Sequence, residues 1–367
     1  MPNRTSLIRR LAELRSSYTG ETDSSVLPAI SAGGATLDPE DRASVLRILT
    51  HNYAPRLLGA NTTAPLPARI RHALFPDATS PGQQHLEAAV LLALRRARIH
   101  LRHRTAPRQA GMFRMIRSRP AELVLHLEPA TLPALLAELC PRVVDGALVG
   151  VPGLRVRVHR RHVQLFRVTA PENRILVADI SHRQWLAATA YLRAATGQAP
   201  TPLHVEDADP VPLTAHETAA LAADSAALPP GLAALASSVL RRLMLLGERA
   251  EVSAMRAGGQ MLCVQWSGGL SAELVAVGLV HPLMGLPGDD FDVWRVEDGL
   301  VHVRLGGGTG LTLELSRAGT PGETGREPAG RDLVAAWAVW EATLQSGSTP
   351  ATAAPAALRL ARMGAAS

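Results

Sequence analysis

The spacing of hydrophobic positions along this chain changes several times, and each change predicts an element. Leu7, Leu11 and Leu14 recur at helical spacing and predict a first helix. Asp38-Pro39, with Asp41 three residues on, is an N-cap followed by proline at the first helical position, and it predicts a helix to about Tyr53. A short helix is expected from Leu66 to Leu74. Ser80-Pro81 with Gln83 opens a stronger one to about Arg98, with Leu86, Val90, Leu91 and Leu94 on one face. Short strands are then expected from Met112 to Ile116 and from Leu123 to Leu127, and a helix from Leu132 to Leu139. A hairpin over Leu154 to Arg167 and a strand over Ile175 to Ile180 follow, and Ser181 caps a helix holding Trp185, Ala188, Tyr191 and Leu192.

A Pro- and Ala-rich stretch interrupts this order, with a short helix capped by Thr214 and Glu217 inside it. The same order then returns. Helix 232–246, strands 251–256 and 261–266, helix 271–279, hairpin 293–305, strand 311–315 and helix 332–344 are expected. Leu123 to Leu127 aligns with Leu262 to Trp266 at an offset of 139. Val156, Val158, Val163 and Leu165 align with Trp294, Val296, Val301 and Val303 at an offset of 138. The expected fold is α+β: a helical N-terminal region (1–80) followed by a tandem duplication of an α-β-β-α-β-β-β-α module with mostly antiparallel sheets. The first repeat covers 81–197, the linker 198–229, the second repeat 230–345 and a flexible tail 346–367.

The first hairpin carries the most pointed chemistry. A two-residue turn at Arg160-Arg161 pairs His159 with His162, Arg157 with Gln164 and Arg155 with Phe166, all on one sheet face. Val156, Val158, Val163 and Leu165 take the other face. A two-residue hairpin turn favours positive φ, which arginine resists, so a longer loop or local strain is expected there. In the second hairpin Asp298-Gly299 suits a type I′ turn.

Composition alters this picture in two ways. The 367 residues include 47% hydrophobic and 19% charged, only 12 aromatics, and 38 arginines with no lysine. The core must therefore be aliphatic, and lysine-based chemistry is excluded. The choice of arginine over lysine reads as genomic bias. The net charge of +6 conceals an uneven distribution: residues 51–200 hold 21 arginines against 8 acids, a net of +13, and residues 201–350 hold 9 against 18, a net of −9. Composition bias cannot produce that split. Two readings of it are a solvated basic face and attraction between the repeats, within one chain or through self-association. The third is an acidic macromolecular partner.

Other candidate chemistry is weaker. Cys140 and Cys263 lie in apolar runs without ligand spacing. His100 and His103, and His159 and His162, are three apart but lack local partners for a metal site. Asp289, Asp290 and Asp292 read as a solvated acidic loop, and Gly306 to Gly310 as a hairpin connection, because a strand rather than a helix follows. Ser267-Gly268-Gly269 only loosely resembles a nucleophile turn. Asp179 beside His182 is a possible acid–base pair. Trp266, Trp294, Trp337 and Trp340 concentrate in the acidic repeat, where core packing is the first reading and a partner groove the second.

The N-terminal stretch has no apolar signal core, and no segment is long and apolar enough for a membrane helix, so a cytoplasmic protein is expected. The expected function is non-enzymatic binding, as an adaptor whose basic first repeat meets an acidic partner. Arg155, Arg157, His159, Arg160, Arg161 and His162 are the recognition set, with Arg102, Arg104, Arg114, Arg117 and Arg119 as outer candidates. The alternatives are backbone-driven nucleic-acid binding and an enzyme with a site between the repeats. No catalytic residue, metal or cofactor is assigned.

Overall fold

The computed structural model describes residues 4–50, 65–104, 111–197, 203–205, 211–223, 228–247, 250–306, 309–318 and 331–346. The expected tail and parts of the linker lie outside them. The fold is α+β. Helices α1 (Arg4–Thr19), α2 (Asp23–Thr36), α3 (Pro39–Thr50), α4 (Ala68–Leu74) and α5 (Pro81–Arg102) lead into strands β1 (Phe113–Ser118) and β2 (Glu122–Leu127). Helix α6 (Thr131–Leu139), the ribbon β3 (Arg142–Val144) and β4 (Ala147–Val149), and strands β5 (Leu154–Val158), β6 (His162–Arg167) and β7 (Ala170–Ala178) follow, then α7 (His182–Thr196). The linker contributes β8 (Leu203–Val205) and α8 (Ala215–Ala223).

Beyond the linker come α9 (Pro230–Arg241), a short 3-10 helix (Leu243–Leu246), β9 (Glu251–Gly258), β10 (Met261–Ser267) and α10 (Ala272–Leu279). Strands β11 (Phe291–Glu297), β12 (Leu300–Leu305) and β13 (Thr312–Arg317) and helix α11 (Arg331–Ser346) complete the described elements.

Two larger sheets form. One has the order β1-β2-β7-β6-β5-β8, the other β11-β12-β13-β10-β9. β5–β6, β6–β7, β9–β10, β11–β12 and β12–β13 pair antiparallel, whereas β8 runs parallel to β5, and β10 parallel to β13. Setting β8 and the ribbon aside, each sheet holds five strands, and each reads first-second-fifth-fourth-third by chain order.

The chain forms two compact units that cut across the linear boundaries drawn from the sequence. The first unit is built from residues 1–92, 113–125 and 228–321, the second from 93–112, 126–227 and 322–367. The N-terminal helices thus belong with β9–β13. Helix α11 belongs with α7, where Trp337 packs on Tyr191 at 4.4 Å and its indole N–H donates to the His100 carbonyl at 2.8 Å.

Helix α5 buries its predicted face, with Leu86, Val90, Leu91 and Leu94 essentially inaccessible. Asp38 accepts from the Asp41 N–H at 2.8 Å, and Ser181 and Gln184 form a complete capping box.

The two hairpins differ from what their sequences predict. The turn at Arg160-Arg161 is two residues long, closed by the His159 N–H to the His162 carbonyl at 2.9 Å, and neither arginine has positive φ. The expected extra length or strain is absent because the turn uses negative φ at both central positions. The type I′ geometry sits at Asp145-Gly146 (φ 50° and 79°) between β3 and β4. At Asp298-Gly299 only the glycine is left-handed, and a bulge falls between Arg295 and Glu297.

That bulge adds one residue to β11, so Val293 pairs with Val303, and Trp294 with His302. Val293, not Trp294, thus stands opposite Val303, as Val156 stands opposite Leu165 on β6. The 138-residue offset fails by one in this strand, and a slip of one exchanges the sheet faces. Trp294 consequently lies on the face opposite the buried Val301 and Val303.

Candidate partner-binding surface

The recognition set divides on folding. Arg155 is 1% exposed and is withdrawn from any surface. Its guanidinium grips both oxygens of Glu217 at 2.7 and 3.1 Å and donates to the carbonyls of Leu154, Val211 and Pro212. Glu217 also accepts the N–H of Gly153 at 3.0 Å and that of Thr214 at 2.9 Å. Burial alone would raise the Glu217 pKa, but these hydrogen bonds and the Arg155 charge outweigh it and hold the carboxyl at about 2. The short capped helix of the linker is thus pinned to β5 by the residue that completes its own capping box.

The rest of the hairpin stays at or near the surface. The Arg157 guanidinium lies over the buried Phe166 ring at 5.1 Å. His159 and His162 stack at 4.3 Å, nearly parallel, and the His159 ring lies 3.2 Å from the Gln164 side-chain oxygen. The two imidazoles face each other instead of converging on a common ligand point. Arg160 and Arg161 are exposed at the tip, and among the described residues neither forms an ion pair. Phe166 and Gln164 are both buried, so the recognition face is confined to its tip and to Arg157.

The outer candidates are dispersed. In the second unit Arg102 is exposed at the end of α5, while Arg104 packs over Trp340 at 5.2 Å and Trp337 at 6.0 Å. Arg114, Arg117 and Arg119 belong to the first unit, along and just after β1. Arg114 is exposed, Arg117 pairs with Glu21 at 3.3 Å, and Arg119 pairs with Glu122.

Charge regroups in the same way. Counted over the compact units, the first holds 19 arginines against 18 acids and the second 19 against 14, so nets of +1 and +5 replace the linear +13 and −9. Within the second unit, residues 93–112 supply six arginines and no acid. What persists is a moderately basic unit with an arginine-tipped hairpin.

Other groups resolve into structural roles. Asp179, whose φ is 60°, pairs with His126 at 2.7 Å. His126 on β2 precedes it by 53 residues, so proximity to His182 in sequence gave no hint of this partner. The His100 ring touches the Tyr191 hydroxyl and Glu138, each at 2.8 Å. This carboxylate–imidazole–phenol chain ties α5, α6 and α7 together, and burial together with Glu138 raises the Tyr191 pKa, keeping the phenol neutral.

Burial pushes the Cys140 thiol up to about 12 and makes it a poor nucleophile. Gly269, at φ 61°, lies where a side chain would meet the Leu246 carbonyl at 2.0 Å, so the Ser267-Gly268-Gly269 turn is shaped by packing. Asp292 faces Arg304 in register, and Asp289, Asp290 and Asp292 are exposed. Trp266, Trp337 and Trp340 are buried, Trp266 in the first unit and the other two in the second, while Trp294 is half-buried beside His302 and Arg304.

Glu217 is the residue whose larger role the sequence conceals. Its capping signal is local, but its bond to Arg155 spans 62 residues. No described helix is long and apolar enough to cross a membrane. Comparisons with family models, with curated proteins and with solved structures find no match.

Proposed function

We propose that the chain is a non-enzymatic adaptor of the cytoplasm whose second unit engages an acidic protein surface through the β5–β6 hairpin. One observation carries this reading: Arg160 and Arg161 stand exposed and without carboxylate partners among the described residues, on a tight turn backed by the stacked His159–His162 pair. A short ordered loop places two guanidiniums with little ordering cost on binding, and guanidinium matches carboxylate bidentately. Arg157 flanks them, its guanidinium over the Phe166 ring.

A protein partner is favoured over nucleic acid because Phe166, Trp185 and Tyr191 are buried, leaving no aromatic platform for bases on this hairpin. The shared strand order of the two sheets also supports the reading of the chain as a duplicated module in which only the first copy acquired the arginine tip.

The test is fluorescence anisotropy of a labelled polyglutamate peptide and a labelled single-stranded DNA, titrated with the full chain at about 50 and 200 mM salt. The peptide is expected to bind and to weaken with salt. Arg160→Glu with Arg161→Glu should weaken it by at least about tenfold, or about 1.4 kcal/mol. No peptide binding at the lower salt, or equal binding by the double variant, overturns the proposal. Tighter binding of the DNA moves the assignment to nucleic acid.

A further inference from the structure

The chain caps one sheet edge and leaves the corresponding edge open. On β5, the bond between the His159 N–H and the His162 carbonyl fixes the alternation of the ladder. The main-chain groups of Arg155 and Arg157 face β6, and those of Leu154, Val156 and Val158 turn outward. Strand β8 occupies that outward side in parallel, with Val156 opposite Leu203 and Val158 opposite Val205.

On β11, the Gly306 N–H donates to the Asp290 carbonyl at 3.1 Å, which fixes the same alternation. The main chain of Asp292 and Trp294 faces β12, and that of Phe291, Val293 and Arg295 faces outward. Strand β11 ends its sheet, and among the described residues no strand pairs with its outer side. The ladder stays regular from Phe291 to Arg295 before the bulge, long enough for a strand the size of β8.

The surroundings select the occupant. Asp289, Asp290, Asp292, Glu297 and Asp298 are exposed along or beside this edge. Two arginines stand beside them: Arg295, held by Asp298 and Glu273, and Arg304, opposite Asp292 on β12, so the acids remain in excess. A second copy pairing through the same edge would bring two such acidic rows together, which like-charge repulsion opposes. An extended segment carrying arginine or lysine would instead satisfy the outward N–H and C=O groups and neutralise the acids.

We propose that the outer edge of β11 binds an extended basic segment of another protein by strand addition, parallel to β11 as β8 is to β5. This surface belongs to the first unit and is independent of the arginine-tipped hairpin.

The test uses the full chain and three labelled peptides: alternating arginine and valine, alternating glutamate and valine, and an arginine–proline peptide of equal charge that cannot form a ladder. Anisotropy should detect binding of the arginine–valine peptide alone. Val293→Pro deletes one outward N–H and leaves the ladder bonds of Asp292 and Trp294 in place, so proline is tolerable there. It should weaken binding by at least about tenfold, and Asp292→Asn by about threefold. Arg160→Glu with Arg161→Glu should leave this binding unchanged. Should Val293→Pro not fold, hydrogen exchange on the wild-type chain decides, because the bound peptide must protect the 291–295 segment. Equal binding of the arginine–proline peptide, or no protection at 291–295, overturns the proposal.

Discussion

Arg241 has no exposed surface, yet it makes four directed contacts. Its guanidinium spans both oxygens of the equally buried Glu87, at 2.8 and 2.5 Å, and donates to the carbonyls of Pro76 and Arg119. Arg242 repeats the pattern with Asp77 and the carbonyls of Met284 and Ser238, and Arg15 with Glu21 and the carbonyls of Leu74 and Ser118. Arg71 holds three carbonyls, those of Leu66, Leu286 and Gly288. Lysine, a point charge with three donors, cannot reproduce these forks. The lysine-free composition therefore has structural consequences whatever its genomic origin.

Arg241→Met should cost about 3–5 kcal/mol by stranding the Glu87 charge, and adding Glu87→Leu should recover most of the loss. Urea unfolding of the single and double variants reads both. The pair was only half legible in the sequence. Glu87 sits between Leu86 and Val90 on the apolar face of α5, an acid out of place, but its partner lies 154 residues away. Recognition residues suffered likewise: Arg155 and Arg160 look alike in sequence, and only the distant Glu217 separates a buried strut from an exposed tip.

Elements with a strong period were legible, and those whose local chemistry opposes their state were not. Helix α2 went unpredicted because it contains Pro28 and the pair Gly33-Gly34. Packing explains one of those glycines. A side chain at Gly33 would meet the Ala73 carbonyl of α4 at 1.8 Å, whereas Gly34 has open space around it. Neighbouring substitutions should therefore have opposite signs. Gly34→Ala should stabilise by about 0.5–1 kcal/mol through helix propensity. Gly33→Ala should destabilise by about 1–3 kcal/mol, because α2 and α4 must part. Thermal midpoints of the two variants check this. The ribbon β3–β4 was missed although Val143-Val144-Asp145-Gly146-Ala147-Leu148 carries the ordinary hairpin signature. The hydrophobic spacing puts Trp294 on the wrong face, because a bulge leaves no mark in it.

For the molecule as a whole, the linear charge split dissolves because each unit is assembled from three separate stretches of chain. The units should also differ in acid. In the first, burial lowers the His281 pKa to about 4 from 6.5. The unfolded chain takes up that proton first, so the stability His281 contributes above pH 6.5 is lost as pH falls toward 4. In the second, the Glu217 pKa is lowered to about 2 from 4.5, so its contribution is lost as pH falls from 4.5 toward 2. Through these two groups, acidification should draw on the first unit at a higher pH than on the second. Hydrogen exchange across a pH series should show that order, with His281→Asn removing the earlier loss and Glu217→Gln the later one.

The packing of α11 on α7 also sets a timetable. During synthesis residues 197–330 must be made between α7 and α11. At about 5–20 residues per second that is roughly 7–27 s during which Tyr191 lacks Trp337. The newborn second unit must wait, apolar helix face uncovered, for a helix from a distant stretch of its own chain. Cells expressing a chain cut before Arg331 should accumulate a protein whose second unit never closes.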